Sequence, residues 1–297
     1  MDKLFGVYAA VAGLALVFPF RPAAWPLLAL LHLAAAALGF GVPPARRAWT
    51  AFARRFPRTA GIVGDWYPLV LLPAIYLELA LLNRAVFAGR YFDALVMGWE
   101  QAVFRGQPSR ALASAVPFRW LSEPLHAAYL SYYLIVLVPP VVLAAQRRWD
   151  AFREAVFTLM LAFFAHYLFF VFFPVQGPRY LFAPPGGEAA EGPASRLAHR
   201  VLAAGSSQGS AFPSSHVGVS VAQCANALRF FPRFASLLVF LTIGLGAGAV
   251  YGGFHYAIDA VAGLALGTAC AIAGPPLYRR LLASAPRAES GVVVAAV

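Results

Sequence analysis

Residues 211–259 read AFPSSHVGVSVAQCANALRFFPRFASLLVFLTIGLGAGAVYGGFHYAID. Val217 to Leu228 and Phe234 to Val250 are apolar and are joined by the polar-basic break Arg229-Phe230-Phe231-Pro232-Arg233. That pattern predicts one helix across a membrane, a turn, and one helix back. Ala211-Phe212-Pro213-Ser214-Ser215-His216 and Gly252-Gly253-Phe254-His255-Tyr256-Ala257-Ile258-Asp259 therefore return to the same membrane face. A helix start carries backbone N–H groups without intrahelical partners and a partial positive charge, so Ser214, Ser215 and the N–H groups beside them can hold a phosphate. Pro213 fits a first-turn position. His255 and Asp259 are four apart, which on a helix puts them on one face, with the carboxylate orienting one imidazole nitrogen. Taken alone, the hexapeptide reads equally well as an ordinary Ser-capped helix with a stray His.

Composition narrows the class. The 297 residues are 61% hydrophobic and 12% charged with a mean hydropathy of +0.70, which is too apolar for a soluble domain of this length. The net charge of +11 falls largely in short connectors between apolar runs, the pattern of positive-inside topology rather than of nucleic-acid binding. Cys224 and Cys270 both lie in apolar runs and read as small buried hydrophobes, with no disulfide framework. Arg-rich, Lys-poor usage points to a bacterial source.

The pattern predicts an all-α polytopic membrane helix bundle of about eight transmembrane helices. The expected spans are at about 4–20, 24–43, 61–83, 126–145, 154–173, 213–229, 234–250 and 257–277. With the N-terminus cytoplasmic, 14 of the 23 basic residues fall inside. Both His motifs and the segments 84–125 and 174–212 then face outward, toward the periplasm or exterior of a bacterial inner membrane. Short surface helices are expected in 84–125, and Pro184-Pro185-Gly186-Gly187 marks irregular backbone. Pro44 to Arg58 reads as a basic helix on the inner headgroup surface. Three units follow: an N-terminal helix pair with its basic connector over 1–60, a catalytic membrane domain over 61–282 and a disordered tail over 283–297. Asp65, Glu78, His32 and His166 are costly in lipid and are expected to pair with neighbours.

A phosphate site also needs a fixed cation. Val175-Gln176-Gly177-Pro178-Arg179-Tyr180 supplies one in a Gly-Pro turn, since a guanidinium grips two phosphate oxygens at once. An interfacial Arg snorkelling beside Tyr180 is the plainer alternative. His126, at the outer end of the fourth span beside Glu123, and Tyr180 are candidates for contact behind the site. Among Asp65, Glu78, Asp93, Glu100, Glu123 and Asp259, only Asp259 has metal-like spacing to a His, so no metal site is expected.

Arg179, then Pro213-Ser214-Ser215-His216, then His255-x-x-x-Asp259, on successive ends of the last helices, resembles the type 2 phosphatidic-acid phosphatase superfamily over about residues 155–275. The family pattern is Lys-x6-Arg-Pro, Pro-Ser-Gly-His and Ser-Arg-x5-His-x3-Asp. This chain departs from it at Phe172 for the Lys, Tyr180 for the Pro, Ser215 for the Gly and Ala249 for the second Arg. Loss of that Arg, with Phe92-Asp93 through Glu100, Phe104-Arg105-Gly106 and Leu125-His126-Ala127-Ala128-Tyr129, resembles the branch of inositol phosphorylceramide synthase and its bacterial relatives. The resemblance implies that His255 is the nucleophile, Asp259 orients it, and His216 protonates the leaving alcohol and then activates the acceptor. It implies that Arg179, Ser214 and Ser215 hold the phosphate of a membrane lipid, with no metal or cofactor. Headgroup transfer to an alcohol acceptor is slightly favoured over hydrolysis of a lipid phosphomonoester. A proton-coupled transporter is the remote alternative, although no repeated halves are visible. The sequence sets no oligomeric state.

Overall fold

The computed structural model describes residues 1–283, and past Ala283 the expected tail lies outside the described residues. The N-terminal part holds α1 (Asp2–Gly13), α2 (Trp25–Gly39), α3 (Pro43–Arg55) and α4 (Pro57–Phe87). The segment 84–125 forms α5 (Asp93–Phe104) and α6 (Pro108–Ala115). Next come α7 (Arg119–Leu130), α8 (Tyr132–Ala145) and α9 (Trp149–Phe172). The segment 174–212 carries α10 (Pro178–Leu181), α11 (Glu188–Glu191) and α12 (Pro193–Gly205), and α13 (Ser215–Phe230), α14 (Pro232–Tyr251) and α15 (Ala257–Ala283) complete the described residues.

Among the described residues, five stretches are long and apolar enough to cross a membrane: α4, α7 running into α8, α9, α14 and α15. α2 and α3 make a sixth if taken together, though they are bent by 76°. Against eight expected spans, three runs are short: α1, α2 and α13 have 12, 15 and 16 residues. At 1.5 Å per residue these are about 18, 23 and 24 Å, below the roughly 30 Å of a hydrocarbon core. α13 starts late because the chain before it pairs sideways instead of extending the helix. Val175 donates to Gly209 at 3.2 Å, and Ala211 donates back to Val175 at 2.9 Å.

α9 is apolar on every side and becomes the central helix, with 72% of its apolar window buried against 33% for α15. The intramembrane polar residues pair as charge in lipid requires. Asp65 takes two bonds from Arg153, at 2.8 and 3.2 Å, and Glu78 lies 3.4 Å from His32. His166 donates Nδ1–H to the Ala162 carbonyl at 2.7 Å. Residue 60 falls inside α4, and α1 joins the common core through Tyr8 stacked on Phe164 at 4.3 Å.

The contact that places the site is α13 against α15. A Cβ on Gly263 would lie 2.3 Å from the Ser214 carbonyl, and one on Gly267 would lie 2.2 Å from the Gly218 carbonyl. Only glycine permits that backbone-to-backbone approach. It sets the starts of the two helices, with His216 on one and Asp259 on the other, side by side.

Candidate active site

His255 precedes α15 rather than belonging to it, which corrects the expectation of a shared helical face. The His255–Asp259 pair is made across a turn: Tyr256 donates its N–H to Asp259 Oδ2 at 2.8 Å, and the same oxygen lies 3.4 Å from His255 Nδ1. Nδ1 also donates to the Ala211 carbonyl at 3.0 Å. With its proton held there, His255 presents a bare Nε2, which lies 3.3 Å from His216 Nδ1. His216 Nε2 pairs with the Tyr129 hydroxyl at 3.2 Å. The main-chain carbonyl of Asp259 accepts the Ser214 N–H at 2.9 Å, so the two helix starts are also bonded to each other.

His216, His255 and Arg179 line one cavity of about 30 Å³, together with Tyr76, Tyr129 and Tyr180. That is room for roughly one water. A phosphorus with its leaving oxygen does not fit within 3.3 Å, so a substrate must part the two imidazoles. Arg179 follows Gly177, whose φ of +89° forms the turn. Its Nη2 donates to the Leu202 carbonyl at 3.2 Å, and its Nη1 is buried with no hydrogen-bond partner among the described residues. The guanidinium is the one cationic side chain among the residues lining the cavity.

Ser214 and Ser215 lie elsewhere. Ser214 is fully buried as the α13 N-cap, where its Oγ accepts the Val217 N–H at 3.4 Å, and neither serine lines the cavity. Pro213 precedes that cap and is not a first-turn residue. Tyr180 lines the cavity with its hydroxyl 2.6 Å from Ser206 Oγ. His126 does not line it; its ring lies 5.7 Å behind Phe254, which does. Glu123 is not held by His126 and instead accepts the Ala194 and Ser195 N–H groups that open α12, both at 3.0 Å. Phe172 packs against the apolar core, and the Ala249 carbonyl accepts the N–H groups of Phe254 and His255 at 2.9 and 3.0 Å. Arg90, Arg105 and Arg110 do not reach the cavity. Sequence reasoning missed Tyr129, Tyr76 and the Ala211 carbonyl. A tyrosine in an apolar run carries no mark of what it faces, and a backbone oxygen carries none at all.

A family model described as the PAP2 superfamily matches residues 96–273. No curated protein and no solved structure gives a significant match. The matched region is more than half of the 297 residues and contains Arg179, His216, His255 and Asp259. With both imidazoles, the carboxylate that orients one of them and the single lining guanidinium inside that region, the chain belongs to the PAP2 superfamily, which implies a phosphatase or phosphotransferase activity.

Proposed function

We propose that this protein moves the phosphate-bearing headgroup of a membrane phospholipid to an alcohol acceptor, through a covalent intermediate on His255, at the outer leaflet of a bacterial inner membrane. The observation that carries the reading is two imidazoles meeting nitrogen to nitrogen beside one guanidinium. His255 Nε2 attacks phosphorus, the bond from phosphorus to the leaving lipid oxygen breaks, and His216, protonated on both ring nitrogens, gives that oxygen its Nδ1 proton and becomes neutral. The acceptor hydroxyl then attacks phosphorus while His216 takes its proton, and the N–P bond breaks to restore His255. Ala211 and Asp259 hold the Nδ1 proton throughout, which stabilises the positive charge on the phosphorylated ring. Arg179 and the N–H groups at the start of α13 meet the charge on the other phosphate oxygens, with Ser214 setting that helix start and Ser215 its first residue.

Charge favours transfer over hydrolysis. A phosphomonoester brings close to two negative charges and a diester one, and a single guanidinium with a helix start matches the diester. Phe172 and Ala249 stand where the family pattern has cations. The same first step serves a phosphatase when water takes the acceptor's place. Purified protein given labelled phospholipid, and separately labelled phosphatidate, with and without lipid alcohols, tests the choice. Acceptor-dependent headgroup transfer is expected. Fast release of inorganic phosphate from phosphatidate, indifferent to any acceptor, overturns transfer and leaves a lipid phosphatase.

A further inference from the structure

One face of the outer helix α5 is buried, through Asp93, Val96 and Glu100. Seven residues put the two acids two turns apart on one side, about 10 Å along the axis. Asp93 Oδ2 accepts the Gln176 N–H at 2.9 Å, and its Oδ1 accepts the Gly177 N–H at 2.9 Å and the Tyr256 hydroxyl at 3.1 Å. One carboxylate thus holds both the turn that leads into Arg179 and the residue beside His255. Glu100 Oε1 accepts the N–H of Ala257, the first residue of α15, at 2.8 Å. Ala257 stands two residues after His255 and two before Asp259.

The turn has little slack. A Cβ on Gly177 would lie 2.9 Å from Ala211 Cβ and 3.3 Å from the Phe254 carbonyl, so it is wedged between the segments that flank both imidazoles. Asp93 is 6% exposed and Glu100 0%, and among the described residues neither has an ion-pair partner. A buried carboxylate without a cation is costly, and backbone N–H donors offset part of that cost. Burial pushes the Glu100 carboxyl up, against the pull of the Ala257 and Ser109 N–H groups. Packing alone would be met by an apolar residue at lower cost. Resting on the phosphoryl-transfer reading, we infer that Asp93 and Glu100 are positioning residues: α5 is an outer brace that fixes the spacing of Arg179, His255 and Asp259.

The test combines kinetics with amide hydrogen exchange on the full chain. Asp93→Asn should lower kcat about 100-fold with KM within about threefold, because misplaced catalytic groups act on the transition state. Tyr256→Phe, which deletes one hydroxyl and is milder for folding, should cost about tenfold. Glu100→Ala should also cost about tenfold, whereas Glu100→Gln keeps an acceptor for Ala257 and should stay within about threefold of wild type. Exchange should quicken over 175–182 and 254–260 in Asp93→Asn, and over 254–260 alone in Glu100→Ala. Gln107→Ala loses a 2.9 Å bond to the Met97 carbonyl in the same outer segment, touches neither loop, and should match wild type in both measurements. Unchanged exchange over both loops in Asp93→Asn, or wild-type kcat per folded molecule, overturns the brace. A wild-type protein with no phosphoryl transfer overturns the functional reading, while loosened loops in Asp93→Asn would still uphold the brace.

Discussion

Two pairs of imidazoles sit near the same end of the bundle at nearly equal spacing, His216 with His255 at 5.4 Å between ring centroids and His126 with His199 at 5.7 Å. In the first pair two nitrogens face each other at 3.3 Å, and Ala211 and Asp259 fix which nitrogen of His255 carries the proton. In the second, His126 donates its Nδ1–H to the Ser122 carbonyl at 2.8 Å, its buried Nε2 has no hydrogen-bond partner among the described residues, and the neighbouring Glu123 is occupied by α12. Phe254 lies 4.9 Å from the His199 ring and 4.6 Å from that of Tyr129, and so stands between the second pair and the cavity. Proximity of two histidines is therefore not the chemistry. What each nitrogen is bonded to, and whether the ring lines the cavity, separates the pairs.

The sharpest way to break the comparison is to remove one member of each pair. His255→Ala should lower turnover by about 10⁴-fold or more and abolish a trapped phosphohistidine, as loss of a nucleophile does. His199→Gln should leave kcat within about twofold, read with the same labelled lipid. Comparable losses in the two variants would show that the pairs had been wrongly sorted.

Roles within the first pair separate by leaving group. His216→Ala should slow transfer from a lipid alcohol by about 10²–10⁴-fold and from a nitrophenyl ester far less, since a good leaving group needs no acid. Equal losses on both substrates would remove the acid role. Asp259→Asn should keep the fold, checked by thermal melting, and lose about 10²-fold or more through misorientation of the ring. Tyr129→Phe deletes only the hydrogen-bond partner of His216 Nε2 and should cost about tenfold, the scale of one hydrogen bond.

The smallest effect belongs to the second pair and to stability. Burial, then the charges of His126 and Arg179, holds His199 down to about 4 against an ordinary 6.5. The unfolded chain therefore binds this proton first, and stability present above pH 6.5 is lost as pH falls toward 4. Wild-type protein in detergent should melt at a lower temperature at pH 5 than at pH 7, and His199→Gln should reduce that difference. A difference unaltered by the substitution would assign the pH dependence to other groups.

Much of the arrangement was legible in the sequence because the bilayer restricts what an apolar run can become. Two apolar runs around Arg229 to Arg233 require a return to the same face, which already puts His216 and His255 together. The surface helices of 84–125 and the pairing of Asp65, Glu78, His32 and His166 follow from the cost of polar groups in lipid. Run length said less: α13 reads as a span, yet its 16 residues fall short of a hydrocarbon core. Helical periodicity also misled at His255, which lies in a turn before α15.

By itself the sequence determined the helical class and the nearness of the two His motifs, and it singled out His216, His255, Asp259 and Arg179 as candidates. Only the tertiary structure decided that Ser214 caps a helix instead of lining the cavity, that the Ala211 carbonyl and Tyr129 fix the imidazole nitrogens, and that Asp93 and Glu100 hold the loops from α5. The reason is physical. Hydrophobic patterning encodes which segments are buried and in what direction they run, whereas hydrogen bonds to backbone atoms join residues far apart in the chain through groups that every residue carries.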